Sequence, residues 1–417
     1  MKKFGIYFSI FLVGLILASC ATVPIGGGDG NGNDSLNDVI INTFVNNARE
    51  SIEFLAYKDG KDGEWQKLTS SNGVYKFEPQ AADGNYSIYA VNESYENDNY
   101  DIQIMNLNTS EGKEVPINFI DWTYSYDSEL TLNFGNEFID MNGAVFYGFS
   151  HGFPWFDEDY LTYQIEEINS GTYDLVILVG DQGSDFNKIY IDRNRSVSGE
   201  ESQAISFSDF TTLDTYTATT TIPGAHAGGE LFVGGTTGVF TWFDNDRNLR
   251  IPSSLKSSDD LYVLSVHKSD DDYTRTFTKY KSYPSNIEML NTLPSEYWGM
   301  PTFDNNTFDW APYDPDIDGH EIRFYEAFLK NEDWSIGWTI ILSDGWLGDS
   351  SNYEYQLPDL SGLEGWNEDW YPNMDSLFPH INFEAISGTE SNLTKYLDPV
   401  AGMEESIFWY RLVLSGE

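Results

Sequence analysis

Several stretches carry residue types at spacings that chemistry uses. Gly148-Phe149-Ser150-His151-Gly152 has the G-x-S-x-G spacing, which on a strained strand-to-helix turn presents a serine hydroxyl as a nucleophile. A β-like run, Ala144 to Tyr147, precedes it, but Phe153-Pro154-Trp155 and another β-like segment follow in place of a helix. The stretch therefore reads as an exposed glycine-rich turn, and Ser150 is not taken as a nucleophile. Asp314-Pro315-Asp316-Ile317-Asp318-Gly319 matches the start of a D-x-D-x-D-G calcium loop, which needs a bidentate carboxylate at its twelfth position. That position is Tyr325, with Glu326 one residue late. Two expectations stand side by side here: an acidic turn between strands, and a weak extracellular-type Ca²⁺ site held by Asp314, Asp316 and Asp318.

The five histidines, His151, His226, His267, His320 and His380, show no H-E-x-x-H and no i,i+4 pair, so no histidine metal centre is expected. Acidic pairs are too numerous to single out a glycosidase couple. No Walker loop or dinucleotide fingerprint occurs. The C-terminal tryptophans Trp334, Trp338, Trp346, Trp366 and Trp370 read either as core or as a sugar-stacking platform. Trp366 and Trp370, in a Gly/Asn/Asp-rich insert spanning 360–379, are the two expected to be exposed and ligand-binding.

The elements that must position these residues are strands. Short alternating, β-branched and aromatic runs are separated by Gly/Asn/Asp/Ser turns every 8–12 residues or so, and no long amphipathic helix interrupts them. An all-β chain of three to four β-sandwich domains in series is predicted: 38–121, 128–210, 211–296 and 297–417. The first two share a partial repeat. Tyr75 followed by Gly84-Asn85-Tyr86-Ser87-Ile88 aligns with Tyr163 followed by Gly171-Thr172-Tyr173-Asp174-Leu175. In each, Gly makes the turn and the Tyr and Ile/Leu point to one face of the next strand.

Charge excludes some partners. There are 67 Asp+Glu against 22 Lys+Arg, a formal −45 at pH 7. Such a surface repels a phosphate backbone, and no basic cluster offers an exception, so no nucleic acid is expected. Anionic lipid headgroups repel it as well. Aromatics at 16% fit packed β structure rather than disorder. A single cysteine, Cys20, rules out an intramolecular disulfide and a cysteine-based metal centre.

Three resemblances add to this reading. Lys2 and Lys3, the apolar run Phe4 to Leu17, and then Leu17-Ala18-Ser19-Cys20 resemble the signal peptide (1–19) and lipobox of bacterial lipoproteins. The resemblance implies cleavage before Cys20 and lipidation of its thiol. It also implies a membrane partner through the lipid anchor, with the outer membrane favoured because Ala21, not aspartate, follows. Residues 20–37 are rich in Gly, Asn and Asp and read as a tether, at most ~55 Å extended and ~23 Å as a coil. The Gly-Thr-Tyr-Asp-Leu pattern resembles strands of carboxypeptidase-regulatory-like sandwiches. Phe308-Asp309-Trp310-Ala311-Pro312, with Glu321 to Tyr325 and Trp338 to Leu342, resembles the early strands of a fibronectin type III-like sandwich and implies a core position for Trp310. Together these lead to an exported, membrane-anchored lipoprotein with a non-enzymatic binding or scaffolding role at the cell envelope. Glycan or an envelope protein is the expected partner, a hydrolase the least expected alternative, and no cofactor beyond structural Ca²⁺ is expected.

Overall fold

The computed structural model describes residues 38–45, 48–95, 99–119, 127–147, 150–168, 170–181, 186–234, 237–239, 248–269, 274–296, 301–377, 381–388 and 393. Cys20, the signal-like segment and the tether lie outside them, as do Gly148, Phe149 and His380. The chain is all-β, a set of separate sheets packed face to face as sandwiches. Among the described residues no helix is long and apolar enough to cross a membrane.

One arrangement recurs three times. The strand Val39–Val45 pairs antiparallel with Val74–Phe77 and parallel with Glu114–Phe119. Ser128–Phe134 pairs antiparallel with Thr162–Ile168 and parallel with Glu200–Ile205. Asp214–Thr219 pairs antiparallel with Asn248–Arg250 and parallel with Ile287–Met289. Each of these small sheets packs against a larger sheet: the second against one built on Met141–Tyr147 and Gly171–Asp181, the third against one built on His226–Val233 and Leu261–Ser269, and the first against a seven-stranded sheet that also takes in C-terminal strands. The repeat legible at Gly84 and Gly171 marks the long strands Asn85–Tyr95 and Gly171–Asp181 of the first two larger sheets. Gly84 has φ +70°, the left-handed conformation a tight turn demands.

These long strands are buried on both faces and read as continuous apolar runs rather than alternating ones. In Gly171–Asp181, Leu175, Ile177 and Val179 enter the core against the small sheet of 128–134. Val176 and Leu178 enter a second core shared with residues 213–290. Arg193 clamps the two together. Its guanidinium donates to both carboxylate oxygens of Asp260 at 2.9 Å each and to the Leu255 carbonyl at 2.9 Å. The Asp260 side chain is fully buried and also accepts the Gly234 and Ser257 amides. A buried carboxylate is tolerable only when matched by donors in this way.

The first and last units meet edge to edge. A seven-stranded sheet runs in the order Asn382–Gly388, Glu321–Lys330, Ile336–Ser343, Asn99–Asn108, Asn85–Tyr95, Phe54–Asp59, Trp65–Lys67. At its centre Ile336–Ser343 and Asn99–Asn108 pair in parallel. Buried Asn106 fastens this seam: its amide donates to the Tyr355 hydroxyl at 3.1 Å and the Ile341 carbonyl at 3.3 Å, and its oxygen accepts from Ser87 at 2.8 Å. Glu111 accepts the Gly345 amide at 2.8 Å and the Ser343 hydroxyl, so it caps the short helix Asp344–Leu347 from the other unit.

Candidate ligand-binding site

The insert does not present its tryptophans. Trp370 is 3% exposed, its ring set against Phe54 at 5.2 Å, Tyr100 at 5.8 Å and Trp366 at 5.6 Å between centroids. Its carbonyl accepts from the Tyr89 hydroxyl at 2.7 Å and the Trp338 indole at 2.8 Å. Trp366 is half-buried against the same core, edge-on to Tyr89. The expected stacking platform at Trp366 and Trp370 is therefore a plug over one face of the seven-stranded sheet. Trp310, Trp338 and Trp346 are also buried, whereas Trp334 is 54% exposed with the Lys330 ammonium 4.1 Å over its ring.

Asp314, Asp316 and Asp318 do not gather. Among the described residues no three carboxylate, imidazole or thiolate groups are placed to hold a metal. The Asp314 carboxylate accepts the Asp316 amide at 2.9 Å, an Asx turn, and its carbonyl accepts the Ser295 hydroxyl at 2.5 Å. Tyr325, where a calcium loop needs its bidentate acid, is a core residue whose hydroxyl accepts the Tyr313 amide at 2.9 Å. Ser150 opens the edge strand Ser150–Gly152, which pairs antiparallel with Met141–Tyr147. The chain then continues extended, so the strand-to-helix elbow a serine nucleophile needs is not formed.

That same edge carries three exposed aromatics, Phe153, Trp155 and Tyr160. The register setting Val145 opposite Gly152 continues to a bridge of Asn142 with Trp155. The Gly143 amide donates to the Pro154 carbonyl at 2.9 Å, and the Phe156 amide to the Met141 carbonyl at 3.1 Å. Alternation follows: Pro154 and Phe156 turn to the Gly143 face, where Phe156 is buried, and Phe153 and Trp155 turn to the other. Gly143 is required there, because a Cβ would lie 2.7 Å from the Phe156 ring. A Cβ on Gly152 would meet the Tyr163 hydroxyl. Phe153 and Trp155 are each 48% exposed, with Phe153 anchored edge-on to buried Phe146 at 6.3 Å. Next comes a tight turn in which the Asp157 carboxylate accepts the Asp159 and Tyr160 amides at 2.8 and 3.0 Å, leaving Tyr160 67% exposed.

The result is a fixed row of aromatic faces beside a turn of acids, Asp157, Glu158 and Asp159. Rings two residues apart on an extended strand stand about 6.4–6.8 Å apart. A rigid aromatic row offers stacking area at low entropic cost, and carboxylates accept hydrogen bonds from hydroxyls. The sequence alone does not single out Phe153 and Trp155, because their exposure depends on which face of the edge strand each takes. The available signal was two large aromatics bracketing a proline next to an edge strand.

No known protein family matches this sequence, and no curated protein does. Among solved structures, the chain is similar at 11% identity to a Bacteroides ovatus protein described as mixed-linkage glucan utilization locus SGBP-B in complex with a mixed-linkage heptasaccharide. The match covers 87% of this chain and 88% of that one at a TM-score of 0.12. At that score the two folds do not superpose, and nothing about this chain follows from the match.

Proposed function

We propose that this chain is an envelope lipoprotein, anchored through Cys20, whose folded body binds a neutral glycan without transforming it. The observation that carries the reading is the edge-strand pair Phe153 and Trp155. Both rings are half-exposed on one face, held by backbone pairing to Met141–Tyr147. Stacking on sugar rings uses such faces, and the carboxylates of the adjoining turn supply acceptors for sugar hydroxyls. Charge chooses among glycans: at −45 the chain repels polyanions, so a neutral polysaccharide is the partner. Lipidation fits the same picture, because a strongly acidic body has no attraction of its own to an anionic membrane and two acyl chains hold it stably.

The test is affinity electrophoresis of the detergent-solubilised full chain through a panel of neutral polysaccharides. At least one should retard it. Each lost aromatic contact is worth about 0.5–1.5 kcal/mol, so Phe153→Ala/Trp155→Ala should weaken binding by about 5- to 150-fold. Trp334→Ala, an exposed tryptophan elsewhere, should leave it unchanged. No retardation by any glycan, or a double variant that binds like the wild type, overturns the reading. For the anchor, palmitate labelling in cells should disappear in Cys20→Ala; persistent label would refute it.

A further inference from the structure

Two of the histidines that the sequence scatters are neighbours in the fold. His226 opens the strand His226–Val233 and His267 lies in Leu261–Ser269; the register of these antiparallel strands sets them directly opposite each other. Directly opposed residues share a face, with Cβ atoms about 4.5–5.5 Å apart. The rings lie 5.7 Å apart between centroids and are inclined by 31°. We propose that His226 and His267 form a binding site for a divalent transition-metal ion, zinc or copper(II), with water completing the coordination.

The geometry comes close to what such an ion demands. With metal–nitrogen bonds of ~2.0–2.1 Å and tetrahedral angles, the two ring centres would lie about 5.3 Å apart, a few tenths of an ångström from the observed value. Room for the water ligands exists. Gly228 follows His226 on the same face, and nothing lies within 4 Å of where its Cβ would be. Thr276 stands opposite His267 on the next strand of the sheet, Thr274–Lys281, and Ser265 lies two residues before His267, so hydroxyls border the pair. Imidazole donors suit zinc, copper and nickel, whereas calcium and magnesium prefer oxygen. The site is therefore distinct in chemistry from the acidic surface, and it does not depend on the glycan reading.

The experiment is calorimetric titration of the full chain with zinc and with copper(II), with nitrogen hyperfine coupling read by electron paramagnetic resonance for copper. One site per chain is expected, tighter for copper, with two nitrogen ligands in its spectrum. Removing an outer-shell partner already costs 10–100-fold in metal affinity, so losing a ligand in His226→Ala should cost at least about tenfold. His226 is exposed, so this variant keeps its fold, checked by circular dichroism. His267→Ala should act alike, and an excess of calcium should not compete. If the wild type shows only weak binding that both variants retain, or that calcium displaces, carboxylates are the ligands and the proposal fails.

Discussion

Truncating Trp370 is the sharpest test of how the two ends of the chain are held together. An aromatic side chain of this kind buries about 150–250 Å², which at ~25 cal/mol per Å² amounts to about 4–6 kcal/mol. Buried Phe or Trp replaced by alanine costs about 3–5 kcal/mol in practice, since the site collapses only in part. Phe54 and Tyr100 flank the ring from the first unit, and Phe54 is itself covered by Trp366, so little can move in to fill the space. Trp370→Ala should thus lose about 4 kcal/mol, whereas Trp334→Ala should lose under about 1 kcal/mol, the worth of its exposed cation–π contact. The assay is urea unfolding followed by far-ultraviolet circular dichroism. Several units need not melt as one, so midpoints of the transition that includes the seven-stranded sheet are compared. Because the residue joins strands from both ends, the first and last units should weaken together, as limited proteolysis of each would show. If Trp370→Ala costs no more than Trp334→Ala, or destabilises only the last unit, the plug assignment is refuted.

Two further outcomes follow from the buried charges. Asp101 sits at the parallel seam opposite Gly337, and burial raises its pKa to about 6 against the opposing pull of Lys330. The folded state thus holds this proton more tightly than the unfolded chain does, so stability present below about pH 4 falls as pH rises to about 6. After allowance for screening by solvent, the fall is on the order of 1–2 kcal/mol. Asp101→Asn should remove it, leaving the variant more stable than the wild type at pH 7 and little different at pH 4; thermal midpoints that track the wild type across pH would contradict this. At the other junction, Asp260→Ala takes from Arg193 its hydrogen-bonded carboxylate, leaving only Asp174 at 3.8 Å, and should cost about 3–5 kcal/mol, with strong coupling to Arg193→Ala in a double-mutant cycle. Additive losses would mean the clamp is not a unit.

Strand character was plain in the sequence because alternation and turn residues are local. So was the repeat at Gly84-Asn85-Tyr86 and Gly171-Thr172-Tyr173, where glycine and aromatic spacing mark equivalent strands. Trp310 is buried, the core position that the resemblance of its stretch to a fibronectin type III-like sandwich implies. What failed to show was anything set by which surfaces meet. Trp366 and Trp370 looked exposed because their neighbours are polar. Yet Leu360, Leu363, Trp366 and Trp370 recur at three- and four-residue intervals and line one side of the insert, all packed into a single core. That spacing was the overlooked signal. His226 and His267 meet only once strand register is known. The seam between Asn99–Asn108 and Ile336–Ser343 is beyond local reading, since both strands look like ordinary members of their own units.

That seam also dictates an order of events during folding. Asn106 and the Ile341 carbonyl it binds are 235 residues apart in sequence, and everything between them must be made before the pair can form. Until then the Asn99–Asn108 strand is an open sheet edge with an apolar row beside it, a template for pairing with another chain. Pairings of such long sequence range form slowly, because the closure entropy is spent before any contact repays it. The middle units are closed by nearer partners and can fold while the first still waits. Closure of the chain upon itself is thus the last step, and a newly made molecule is at its most aggregation-prone until its own C-terminal unit arrives to cover its N-terminal one.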